Sequence, residues 1–174
     1  LYRLVGSEMC IRDRCKALGD KVNKNSGSMG VAFSSCTVPA AGKPNFDIGD
    51  DEMEFGVGIH GEPGRRRDKM KSAQEITNEL LEAINEDLKP ETNEEILLFV
   101  NGMGGTPLTE LYLIYDNAKN MLDKKNIKIS RSLVGNYCTS LEMQGASITL
   151  TKLDEELLKH WDSSVHTAAM RWGV

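Results

Sequence analysis

His60 lies in the stretch EFGVGIHGEPGRRR, residues 54–67, with glycine at 56, 58, 61 and 64 and three arginines closing the run. Glycine removes side-chain bulk and permits positive φ, so the chain can bend sharply and a ligand can approach the ring. A neutral imidazole in that setting can serve as a nucleophile or as a proton acceptor. A histidine in a glycine-rich turn can equally be a plain surface residue, and spacing alone does not separate the two. Arg65, Arg66 and Arg67 could disfavour a protonated ring or attract phosphate, although such a run more often forms a solvated basic face. A second glycine cluster, NGMGGT at 101–106, falls between an apolar run and a helical pattern, the setting of an anion-binding helix start. A tight strand-to-helix connection explains it as well, and it lacks the lysine and spacing of a P-loop. No ligand spacing joins His160 and His166 to His60 or to Cys10, Cys15, Cys36 and Cys138, so no metal site is expected. The cysteines form no CxxC pair and read as reduced thiols.

These residues need elements to hold them. Residues 15–26 read as a helix with a charged face, closed by Gly27. Residues 28–38 read as a strand stopped by Pro39, followed by a Pro/Gly/Asp loop and a second strand, EMEFGVGIH, that runs up to His60. Ser72 and Glu75 form a capping box for a helix over 73–88, with Ile76, Leu80, Leu81 and Ile84 on one face. EILLFVN (95–101) is a buried strand. Thr106 is the expected N-cap, with Pro107 in the first turn, of a helix reaching about Lys125 whose apolar stripe is Leu108, Leu111, Tyr112, Tyr115, Ala118 and Leu122. Strands at IKISRSLVG and GASITLTKL, a short helix DEELLKHWD and an irregular tail complete the chain. Two consecutive strands followed by strand–helix alternation predict an α+β fold, a mixed β-sheet with helices packed mainly on one face (a two-layer sandwich).

Composition narrows the function. The chain has 174 residues, 40% hydrophobic and 27% charged, with a formal net charge of -5. That balance fits a water-soluble domain and speaks against nucleic acid or an acidic membrane surface as partner. No apolar run approaches the roughly 20 residues of a membrane span, and no signal-peptide pattern is present. A cytoplasmic location is expected.

Five ordered blocks, MGVAFSSCTVPAAGKP, FGVGIHGEPG, LLFVNGMGGTP, SLVGNYCTSLEMQGASITL and VHTAAMRW, resemble the C-terminal part of the substrate-binding subunit or domain of dihydroxyacetone kinases, from about Ser28 to Trp172. The resemblance implies that His60 binds dihydroxyacetone covalently, as a hemiaminal, for phosphorylation to dihydroxyacetone phosphate. The flanking glycines would leave space for the adduct. It further implies no cofactor on this chain, a nucleotide-binding kinase subunit or domain as partner supplying ATP with Mg2+ or bound ADP, and a homodimer in the full-length form. The family's further N-terminal domain, with its basic histidine and aspartate, has no counterpart here, so the chain reads as the C-terminal fragment of a two-domain α/β kinase subunit, inactive alone. The alternative is a non-catalytic dihydroxyacetone-binding coactivator, a paralogue of the kinase subunit.

On this reading residues 1–14, with SEMCIRDR resembling translated sequencing adaptor, are a non-native leader. Residues 15–27 are a helix and linker from the missing domain, 28–140 the substrate-binding second domain, and 141–174 a strand, helix and tail packing on the missing first domain. Ile148, Leu150, Leu153, Leu157, Leu158, Trp161, Met170 and Trp172 should then be incompletely buried, leaving a chain prone to self-association.

Overall fold

A computed structural model describes residues 2–173, with side chains from residue 10 onward. Eight strands and four helices follow in the order α1 (Tyr2–Lys24), β1 (Ser26–Ala32), β2 (Glu52–Phe55), β3 (Arg66–Lys69), α2 (Ala73–Leu88), β4 (Glu95–Gly102), α3 (Leu108–Lys124), β5 (Lys128–Gly135), β6 (Gly145–Lys152), α4 (Glu155–Trp161), β7 (Val165–His166) and β8 (Arg171–Trp172). Six strands form one mixed sheet in the order β3-β2-β1-β6-β4-β5, and β7 pairs with β8 in a small hairpin. Only β4 and β5 run parallel, and α3 is the crossover that a parallel pair requires.

The expected α+β plan is the one observed. Alternation along the three central strands sends Val31, Leu98, Val100, Ala146, Ile148 and Leu150 to one face, where they meet Leu80, Leu81 and Ile84 of α2 and Leu111, Ala118 and Leu122 of α3 in the main core. The helix α2 is legible in the sequence because its ends are chemically marked. The Ser72 side chain accepts from the Glu75 amide while the Glu75 carboxylate accepts from the Ser72 amide, satisfying donors that the first helical turn leaves unpaired.

The structure corrects several boundaries. The first helix ends at Lys24 and only Asn25 separates it from β1, so Gly27 lies in the strand and does not close the helix. There an added Cβ would stand 3.0 Å from Ile84 Cγ2 and 3.5 Å from Leu88 Cβ, a tight fit against α2. β1 stops at Ala32 because its partner begins at Gly145. Thr106 does not cap α3. Pro107 holds that position without a side-chain bond, and the Thr106 hydroxyl instead bridges the Gly145 carbonyl and amide. Of the proposed stripe, Leu108 and Tyr112 are exposed while Ile114 is buried, because the face turned to the sheet is Leu111, Ile114, Ala118 and Leu122.

β6 is central, paired to β1 on one side and β4 on the other. Ile148, Leu150 and Leu157 are buried, and Leu153, Leu158, Trp161, Met170 and Trp172 are half-buried. Trp161 and Trp172 cover one another edge to face, with centroids 5.7 Å apart. Of the eight apolar side chains expected to be incompletely buried, three are buried in this chain and five stay partly open.

Leu150 is fully buried at the centre of this core, and Leu150→Ala is expected to lower unfolding stability by about 2–5 kcal/mol. Ser72→Ala, which removes one cap, should lose about 1 kcal/mol. Urea titrations followed by circular dichroism check both, with the transition slope unchanged.

Candidate functional site

The other face of the sheet carries no helix-built core. Ser28, Phe99, Asn101, Ser147 and Thr149 lie on it in two cross-strand rows. Toward the ends of β1 and β4 a small second core, Ala32, Cys36, Val57, Met103 and Met143, is built from the connecting loops with Phe46 against it. Between this core and the open rows lies a cavity of about 470 Å3, bordered by Gly56, Gly58, Ile59, Arg65, Asn101 and Cys138. Val57 anchors the turn that carries His60, and Ile59, the residue before it, borders the cavity.

The second strand ends at Phe55, earlier than its apolar pattern suggests, because Gly56 takes φ +81°, a backbone state that ends a strand. Residues 56–65 then form the turn into β3. His60 is at its tip, with its side chain 81% accessible. Glu62 folds back under it. One carboxylate oxygen of Glu62 lies 3.1 Å from His60 Nδ1 and the other accepts the His60 amide at 3.1 Å. The Asn45 side chain donates to the His60 carbonyl at 3.4 Å, while its oxygen accepts the Cys36 amide at 3.0 Å. Asn45 thereby ties the turn to the loop after β1. The Glu62 carboxyl sits below the usual carboxylate range. Its own backbone N–H is the main cause, desolvation opposes it, and the His60 ring and amide add to it.

The glycines have a role different from the one expected. A Cβ on Gly58 would stand 2.1 Å from a Glu62 carboxylate oxygen, and one on Gly61, where φ is +79°, would stand 1.9 Å from the Asn45 amide nitrogen. They clear space for the protein's own Glu62 and Asn45. The ring has open surroundings because it stands at the tip of the turn.

The arginines do not converge on the ring. Arg66 and Arg67 belong to β3, an edge strand that the sequence pattern does not reveal because its four residues RRDK have no apolar member. Arg66 pairs with Asp68 at 2.8 Å and with Glu79, and its guanidinium lies 4.7 Å from the Phe55 ring centroid. Arg67 bonds Glu54 at 3.0 Å and the Asp47 carbonyl at 2.7 Å. Arg65 alone borders the cavity.

The glycine loop at 101–106 is a tight connection. Three of its amides are occupied: Met103 N–H donates to the Gly145 carbonyl at 3.2 Å, Gly104 N–H to Asn136 Oδ1 at 3.3 Å and Gly105 N–H to the Met143 carbonyl at 2.9 Å. The buried Asn101 side chain accepts from the Tyr137 and Cys138 amides and donates to the Cys138 carbonyl at 2.7 Å, locking the neighbouring loop. His160 lies on α4 and His166 on β7. Among the described residues no group of three or more His, Cys, Asp or Glu is placed to hold a metal ion, the four cysteines are free, and no helix is long and apolar enough to cross a membrane.

Sequence reasoning picks out His60 but misses Glu62 and Asn45. Glu62 is two residues away in the same block, and a His-Gly-Glu triplet with a glycine able to take positive φ is the available signal. Asn45 acts across fifteen positions of sequence and leaves none.

The sequence profile of the Dak1 domain matches residues 8–169. The dihydroxyacetone-binding subunit DhaK of a PEP-dependent dihydroxyacetone kinase from Escherichia coli (strain K12) is 40% identical over 92% of this chain and 52% of its own length. The corresponding subunit of a PTS-dependent kinase from Lactococcus lactis subsp. lactis (strain IL1403) is 44% identical over 92% of this chain and 48% of its own length. The chain thus spans about half the length of the curated relatives it matches. A solved structure, the dihydroxyacetone kinase operon co-activator Dha-DhaQ, superposes with a TM-score of 0.80 at 30% identity, covering 87% of this chain and 47% of that one.

Gly58→Ala is expected to push the Glu62 carboxylate out from beneath His60 while leaving both cores intact. The His60 ring nitrogen shifts should move, with an unchanged unfolding midpoint to within about 1 kcal/mol.

Proposed function

The chain belongs to the Dak1 domain family, and from that premise we propose that it supplies the ketone-capturing histidine of a dihydroxyacetone kinase. A nitrogen of His60 adds to the carbonyl carbon of dihydroxyacetone and holds it as a hemiaminal. The observation that carries this reading is the exposed imidazole at the tip of a turn, with one ring nitrogen on a carboxylate and the other in no hydrogen bond among the described residues. Covalent capture selects for a carbonyl, since glycerol has similar hydroxyls and nothing to add to. It also holds the terminal hydroxyl still for phosphoryl transfer, lowering the entropic cost of the encounter.

The phosphoryl group comes from a nucleotide-binding kinase subunit or domain, as ATP with Mg2+ or through bound ADP. The general base belongs to the longer protein, a cytoplasmic homodimer. The 174 residues alone bind ketone without transferring phosphate. A second reading is favoured by the likeness to the operon co-activator: a paralogue that binds dihydroxyacetone and signals its presence without phosphorylating it.

Carbon-13 spectra of dihydroxyacetone labelled at the ketone carbon, bound to the full-length protein, test the capture. The expected result is a new tetrahedral-carbon signal that His60→Ala removes while the fold persists. Only the free ketone and its hydrate at saturating concentration would overturn it. Phosphate transfer on adding the nucleotide-binding subunit then identifies the kinase, and an adduct without transfer identifies the co-activator.

A further inference from the structure

We infer that Glu62 is the positioning residue that makes Nε2 the nucleophile of His60 and receives the proton that capture releases from Nδ1. This rests on the ketone-capture reading. The carboxylate bridges two donors of a single residue, 3.1 Å from the ring Nδ1 and 3.1 Å from the backbone amide. The contact therefore fixes both the ring and the backbone from which it projects. An ionised carboxylate only accepts hydrogen bonds, so in the neutral ring the Nδ1 must carry the hydrogen and Nε2 keeps its lone pair.

The turn is built around that contact. Gly58 has no side chain where the carboxylate lies, Gly61 takes φ +79° between the two residues, and Asn45 holds the His60 carbonyl. Gly58 is constrained by the Glu62 carboxylate itself, and Gly61 by the Asn45 side chain that holds the His60 backbone. The lowered Glu62 carboxyl agrees with a group that stays ionised beside the ring.

The chemistry then balances without any further reagent. The Nε2 lone pair forms a bond to the ketone carbon, and the π pair of the carbonyl moves to oxygen as an alkoxide. The ring is now an imidazolium, still bearing its Nδ1 hydrogen, and the Glu62 charge stabilises it. The Nδ1 proton passes to Glu62 and on to solvent, while the alkoxide takes a proton from solvent. A neutral hemiaminal remains, with no atom lost and nothing oxidised. Glu62 touches the ring and not the ketone, so it acts through His60. Any small aldehyde or ketone would be activated in the same way, so discrimination between carbonyl compounds lies elsewhere.

The test uses nitrogen-15-labelled full-length protein and the labelled ketone. Long-range proton–nitrogen spectra of His60 should show hydrogen on Nδ1 in the wild type. In Glu62→Ala the hydrogen should move largely to Nε2, and the affinity for forming the tetrahedral adduct should fall about ten- to a hundredfold, the scale of a lost charge-assisted hydrogen bond. Glu62→Gln keeps size and one acceptor oxygen but no charge. It should preserve the tautomer better than alanine while forming the adduct more weakly than wild type. Backbone amide spectra confirm that each variant is folded, as expected for an exposed side chain. A wild-type ring protonated on Nε2, or a Glu62→Ala protein that forms the adduct with undiminished affinity, overturns the role of Glu62 and leaves capture by His60 standing. A wild-type ring protonated on Nδ1 that gives no adduct overturns capture itself, and with it the nucleophilic role of Nε2.

Discussion

Strand β6 is hydrogen-bonded along both edges, to Ser26–Ala32 of β1 and to Ile96–Gly102 of β4. Ile148 and Leu150 face the helices while Ser147 and Thr149 face away. A slip of one residue would exchange these sets, placing hydroxyls in the main core and aliphatic side chains on the open face. The register of this one strand therefore fixes the relation between the N-terminal strands, which lead to the His60 turn, and the β4–α3–β5 unit. Its pairing with β1 spans more than a hundred residues of sequence, so the sheet's two halves meet only through long-range closure.

The two faces divide the work. Helices α2 and α3 seal one side with aliphatic packing. On the other side loops from four places in the chain share the small core around Met103, and polar side chains do the locking. Asn101 fixes the loop after β5, and Thr106 fixes the start of β6 through both of its hydrogen-bonding groups. Buried side chains so fully satisfied specify one arrangement. The His60 turn inherits that order through Val57, while its tip stays exposed.

What was legible in the sequence follows from the range over which each signal acts. The ends of α2 could be read because a capping box is local, and β4 could be read because a continuous apolar run has few other uses. The mixed sheet followed from the element order. His60 stood out by its glycines, and the resemblance to dihydroxyacetone kinases supplied the block order that the Dak1 match then bore out. Thr106 misled because its hydroxyl, fit for a cap, found Gly145 instead. The central place of β6 was hidden because no local pattern states which strands will be neighbours. In the sequence, glycines at 58 and 61 look like openings for a ligand, because the atoms that fill their space, from Glu62 and Asn45, arrive only once the turn has formed.

The arginine run at 65–67 has a meaning in the outer boundary of the sheet. An edge strand offers unpaired amides and carbonyls to any other strand that approaches, and in solution that is a route to aggregation. Here β3 closes one edge with Arg66, Arg67, Asp68 and Lys69, and β5 closes the other with Lys128, Ser130 and Arg131 among its residues. An incoming strand would have to displace the ion pairs of Arg66 with Asp68 and Glu79, or of Arg131 with Asp162, and strip water from the charges left behind. The charge at the two rims opposes the addition of a further strand at either edge.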